Sequence, residues 1–291
     1  MHGNRRSHPI ETPVRSALLR IGTPDGLNRV ALIAEDQPLV RKKCRMHILD
    51  DPVGLTLRAR SLLCRTGRRE PSQEPRPAIE LPRTRDRFGE PIPPPAMLVI
   101  RRKGFERRYG GLCYQVRNSY AAGSERREQL RSWHFNLGQN MWRDSGHGWY
   151  FDWLGERVSS PVRYLMHTDG RVGVEDGSGA FIEIAPSIRA LIESHALTDL
   201  ASTWDRTDTL DLDSFALAQR LCGLTEIPEA SGRTIKWRAS RAVAVMEFQE
   251  WSSEEPRRWR AFIWSHDKVG RHQIGQAIAS TAAQSPPRFP G

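Results

Sequence analysis

Between residues 167 and 197 the hydrophobic pattern changes period. Val172 and Val174 share one face of a short extended segment over 171–175. Asp176-Gly177-Ser178-Gly179 carries turn chemistry, because glycine accepts positive φ and aspartate bonds to nearby backbone. Over 180–184 the chain alternates again, with Ile182 and Ile184 on one side and Phe181 and Glu183 on the other. After Pro186 and Ser187 the apolar positions Ile188, Leu191, Ile192 and Ala196 recur at helical spacing. The pattern predicts strand, tight turn, strand and amphipathic helix.

The same reading extends to both sides. Pro93-Pro94-Pro95 leads into a helix over 97–109, with Phe105 and Tyr109 four apart on one face and Gly110-Gly111 as its left-handed cap. A strand leaves that cap at 113–116. Residues 124–130 read as a short charged helix. In GWYFDWL, residues 148–154, Trp149, Phe151 and Trp153 alternate onto one face, so Asp152 is expected to point outward. Another short strand covers 162–166. Asp211 is placed to cap a helix over 211–222, three strands follow at 234–240, 242–251 and 259–264, and a last helix spans 269–283. The fold class predicted is α+β: a mostly antiparallel sheet with helices packed beside it.

Composition then divides the chain. Mean hydropathy is −0.57, low for a fully packed chain of 291 residues. Residues 1–108 hold 23 Lys and Arg against 12 Asp and Glu, so the net charge of +10 belongs to the N-terminal third. That third has only Phe88 and Phe105 as aromatics, whereas all nine Trp fall after residue 132. A basic, aromatic-poor segment buries too little apolar area to offset its ordering entropy. Residues 1–76 are therefore expected to be a largely disordered basic extension, weakly helical at 53–63. Residues 77–95 read as a Pro-rich linker, 96–283 as the α+β domain and 284–291 as a frayed tail.

Candidate chemistry is sparse. Cys44, Cys64, Cys113 and Cys222 form no C-x-x-C pair, and reduced thiols of a cytoplasmic protein are expected. No apolar run approaches a membrane span. Arginine outnumbers lysine heavily, a bias that favours GC-rich coding DNA and a bacterial source. No nucleophile elbow, Walker loop or dinucleotide fingerprint occurs, and His134, His147, His167 and His195 show no metal-ligand spacing. His167-Thr168-Asp169-Gly170 reads as a turn rather than a ligand set. No catalytic residue, metal or cofactor is predicted. One feature stands out: residues 144–213 hold 13 Asp and Glu against 5 Lys and Arg, interleaved with Trp149, Trp153 and Trp204. Such a stretch suits a face for a basic protein, since charge steers encounter and aromatic anchors supply affinity. A normally solvated surface is the plain alternative.

The ordering of Phe105-Glu106-Arg107-Arg108-Tyr109-Gly110-Gly111 after a Pro-led helix, then His167-Thr168-Asp169-Gly170, Gly173, Gly177-Ser178-Gly179 and the helix over 187–197, resembles the SUKH superfamily of bacterial immunity proteins. The resemblance covers 77–205 well and 206–280 loosely, and leaves 1–76 unmatched. It implies an α+β fold and non-catalytic neutralisation of a cognate toxin, often a nuclease, by direct binding. It implies no catalytic residues and names no interface. The acidic stretch supplies one: Trp149, Asp152, Asp169, Glu175 and Asp176 are the expected partner-binding residues, with the acidic tips projecting from hairpin turns. Two other classes compete. The Arg-rich arm would make the protein a nucleic-acid binder held by phosphate contacts, though it lacks interleaved aromatics for base stacking. A small hydrolase built on His167 and Asp169 is the third.

Overall fold

The computed structural model describes residues 46–71, 84–85, 91–122, 125–144, 148–157, 162–175, 180–207, 213–251 and 257–282. In chain order the elements are α1 (Leu57–Thr66), β1 (Arg68–Arg69), β2 (Thr84–Arg85), β3 (Pro91–Ile92), α2 (Ala96–Tyr109), β4 (Leu112–Ala122), β5 (Glu125–Asp144), β6 (Gly148–Glu156), β7 (Arg163–His167), β8 (Val172–Glu175) and β9 (Ile182–Ala185). There follow α3 (Ile188–Ala201), β10 (Asp205–Arg206), α4 (Ser214–Arg220), β11 (Thr225–Glu226), β12 (Ile235–Ala239), β13 (Val243–Gln249), β14 (Trp259–Ser265) and α5 (Lys268–Ala282). The class is α+β, as the pattern predicts.

The strands make two principal sheets rather than one. The larger runs β1-β4-β5-β6-β7-β8-β9 and the smaller β10-β14-β13-β12-β11, while β2 and β3 pair separately. In the larger sheet a cross-strand row of Leu137, Trp153, Tyr164, Val174 and Ile182 crosses five strands and faces the main core. In the smaller sheet one face carries Val243, Val245, Ala261 and Ile263 against α4 and α5, and the other presents Trp237, Ala244 and Trp264 to α3.

Helix α3 therefore lies between the sheets. Ile188, Leu191, Ile192 and Ala196 join the core of the larger sheet, and Leu197 and Ala201 join Trp237 and Trp264 on the smaller one. Eleven of its 14 residues are buried. The sequence marks only the first stripe, because the second side is polar: Glu193, Ser194, His195 and Asp199. Each has a partner, as burial demands. Glu193 accepts from the backbone N–H and hydroxyl of Thr56, both at 2.6 Å. Ser194 Oγ accepts from Trp237 Nε1 at 2.8 Å, and His195 Nδ1 lies 2.7 Å from the Tyr114 hydroxyl. Asp199 accepts from Arg65 Nη2 at 2.6 Å and Arg117 N at 3.0 Å. These bonds tie α1, β4 and β12 to the helix between them. Ser187 caps its start, accepting from Ala190 N.

Three expectations are corrected. Residues 1–76 do not lie outside the fold as a block: Ile48, Leu55, Ala59, Leu62 and Leu63 are buried in the main core, and Thr56 caps α1 by accepting from Ala59 N. The apolar face at 53–63 is short, but α3 supplies the surface that stabilises it. The helix expected at 124–130 is absent over its described part, 125–130. From Glu125 onward these residues pair along β4, Asn118 opposite Gln129 and Ser119 opposite Glu128, so long-range pairing overrides local preference. The cap of α4 is Asp213, which accepts from Phe215 N and Ala216 N. The left-handed cap after α2 is as expected, at Gly111 with φ 76°. Expectations for residues 1–45, for most of the Pro-rich linker and for the tail at 284–291 lie outside the described residues.

Candidate functional site

Where the larger sheet, α3 and the smaller sheet diverge they enclose an open cleft of about 530 Å³, a size that suits a small ligand or an inserted side chain. Leu191, Ser194, His195 and Thr198 of α3 contribute to its lining. Val116, Arg131 and Trp133 come from β4 and β5, and Met246, Phe248 and Phe262 from β13 and β14. Two lining aromatics are exposed: Tyr120 near the end of β4, at 39 %, and Trp251 just past β13, at 46 %. Both are amphipathic and stiff, the kind of side chain that anchors a partner at low entropic cost.

The charges beside this cleft are already matched. Glu156 has Arg131 Nη1 at 3.4 Å and accepts from the Tyr164 hydroxyl at 3.5 Å. Burial pushes its carboxyl up, against the pull of Arg131 and Tyr164. Glu183 accepts from Arg171 at 3.2 Å and Arg233 at 3.0 Å. Arg206 lies over the Phe262 ring at 4.0 Å and donates to Ser119 O. His195 sits 4.1 Å from the Trp133 ring centroid, and burial, helped by the charge of Arg131, depresses it to about 3. Its imidazole is neutral at pH 7. The cleft is thus an aromatic-walled, charge-balanced recess.

The five residues expected to bind a partner do not form one exposed face. Trp149 is half-buried against the main core, and its carbonyl accepts from Thr168 N and Oγ1. Asp152 does not point outward. It is buried and accepts from Asn140 N at 2.9 Å and Asn140 Nδ2 at 2.8 Å. The register of β5 against β6 shifts twice between His134 and Met141, and this carboxylate satisfies a backbone donor within that irregularity. Glu175 is buried opposite Arg163, which donates to it at 2.9 Å. Residues on both sides of β6 and β8 are mostly buried, Leu154 excepted, so alternation did not separate inside from outside. Asp169 is exposed as expected, at 48 % for its side chain. It accepts from Arg171 N and Arg171 Nε and pairs with His167 Nδ1 at 2.8 Å. Its partial burial opposes ionisation, but these bonds prevail and lower its carboxyl to about 2. Asp176 lies outside the described residues. His134, His167 and His195 occupy three different settings, and the His167–Asp169 pair is a local turn contact.

The cleft and a second group, Glu70, Cys113 and His134, escaped the sequence reading. Their members are distant in the chain, and only the strand pairing unites them. Among the described residues no helix is long and apolar enough to cross a membrane. The fold is α+β, with an open cleft between its two principal sheets. Compared with known protein families, curated proteins and solved structures, the chain matches none.

Proposed function

We propose that this protein is a non-catalytic immunity protein that binds and neutralises a basic cognate toxin, of the nuclease class, by taking part of it into the cleft between the two sheets. The observation that carries the reading is the pair Tyr120 and Trp251, exposed on an aromatic lining whose other members are buried, as Trp133 and Trp264, or half-buried, as Phe248 and Phe262. An exposed Trp and Tyr beside a recess supply the centre of a protein interface, and nearby charge pairs supply its polar surround. The neutral, hydrogen-bonded His195 fits binding better than acid–base work, which needs a group poised near the working pH. The resemblance to SUKH immunity proteins supplies the toxin as partner. The acidic residues 144–213 are less apt as the docking face, because Asp152, Glu175 and Glu183 are buried.

The test uses a toxin domain from a polymorphic toxin gene adjoining this one. Wild-type chain should bind it and protect cells that express it. Trp251→Ala and Tyr120→Ala should each weaken binding roughly 30-fold, the order of an interface hot spot, with unchanged thermal unfolding. A folded double variant that binds within twofold of wild type refutes the cleft as the site. Tight duplex DNA binding that vanishes on deleting residues 1–45 would favour the nucleic-acid reading instead; its log K should fall with log salt by about 0.9 per phosphate neutralised.

A further inference from the structure

We propose that Glu70, Cys113 and His134 form a binding site for a divalent transition metal of borderline softness, zinc first among them. None of the three lines the cleft, so the inference is independent of the toxin reading.

Strand pairing builds the group. Cys113 of β4 stands directly opposite His134 of β5, and on its other side opposite Arg68 of β1. Glu70 follows β1 and is anchored by its own N–H, which donates to Gly111 O at 2.7 Å. Three adjacent strands thus bring a thiol, an imidazole and a carboxylate to one place. Neighbours on those strands, Tyr114 and Trp133, enter the aromatic core, which fixes the backbone from which Cys113 and His134 project.

The distances fit coordination. Cys113 Sγ lies 3.9 Å from His134 Nε2, and His134 Nδ1 lies 3.2 Å from Glu70 Oε2. One ligand atom from each residue falls within 4.8 Å of the others. In a tetrahedral zinc site the sulfur and nitrogen donors are separated by about 3.6 Å, from bond lengths near 2.3 and 2.0 Å. The two short contacts use opposite nitrogens of the ring, so closing the group onto one metal needs the imidazole or the Glu70 carboxylate to turn until a single nitrogen faces both neighbours.

Charge and exposure agree with that assignment. A thiolate and a carboxylate together balance a divalent ion, the thiol proton leaving to solvent on binding. Arg68 holds the other oxygen of the carboxylate, Oε1, at 3.1 Å, so that Oε2, turned toward His134, is the oxygen placed to coordinate. Cys113 and His134 are buried, while the Glu70 side chain is 32 % exposed and gives solvent access to the site. Three protein ligands with solvent on one side leave a fourth position for water. Thiolate and imidazole favour zinc over the hard cations magnesium and calcium.

Cobalt(II) is the probe, added to the chelator-treated full-length chain. Expected is one cobalt per chain with a thiolate-to-cobalt charge-transfer band, displaced by zinc. Cys113→Ser should abolish the band. Cys64→Ser and Cys222→Ser, at the exposed free thiols, should leave it. Glu70→Gln, at the exposed corner, should weaken zinc binding by about 10- to 100-fold, and it carries the test if Cys113→Ser does not fold. Absence of stoichiometric uptake by the wild-type chain overturns the site. So does a band that persists in Cys113→Ser, or unchanged zinc affinity in Glu70→Gln.

Discussion

Glu193 offers the sharpest test of how the chain is held together. It is fully buried on α3, 137 residues from Thr56, yet takes both the backbone N–H and the hydroxyl of that residue at 2.6 Å. Arg58 Nη2 stands 3.8 Å away. Glu193→Ala would strand two donors and the arginine and leave a void, so a loss of roughly 3–5 kcal/mol is expected, as for removing one member of a buried charged pair. Glu193→Gln retains one acceptor and should lose about half of that, since a hydrogen bond to a charged group contributes about 1.5–3 kcal/mol. Urea unfolding followed by circular dichroism gives the stabilities, and a cycle with Thr56→Val should return a coupling of about 1–3 kcal/mol. Limited proteolysis adds location: cleavage of Glu193→Ala should begin within Leu57–Thr66, because α1 loses its polar tie to α3. A loss below about 1 kcal/mol, or zero coupling, would refute the claim that residues 46–71 are an integral part of the fold.

Two further outcomes follow from the buried polar groups. His195 is depressed from 6.5 to about 3 in the folded chain. The unfolded state therefore binds the extra proton first, and stability should fall as pH drops from about 6.5 towards 3, by up to about 1.4 kcal/mol per pH unit from this group; His195→Gln should flatten that part of the profile, and an unaltered slope would refute the assignment. Asp152→Ala should destabilise by about 1–3 kcal/mol through the unpaired Asn140 N–H, read by thermal unfolding, with toxin affinity unchanged in the folded variant; a large loss of affinity at wild-type stability would return Asp152 to the interface.

The sequence by itself determined the elements whose signals are local. Helices at 96–109, 188–201 and 268–282 follow from apolar spacing, from Ser187 as a cap and from Gly111 in the left-handed region. The strands at 235–239, 243–249 and 259–265 follow from alternation and β-rich composition. What only the tertiary structure decided is which faces are covered. A sheet residue reads as exposed when its neighbours are apolar, but Asp152 and Glu175 are buried and paired with Asn140 and Arg163. A polar helix face reads as solvated, but the second side of α3 meets α1, β4 and the smaller sheet, and its charges are satisfied there. The charged residues 125–130 read as helix until β4 is beside them. The two sites depend still more on assembly. Glu70, Cys113 and His134 meet only through strand register, and Tyr120 and Trp251 come to line one cleft only because two sheets close on one helix. Hydrogen bonding along a strand leaves no trace in local periodicity, so such encounters belong to the fold.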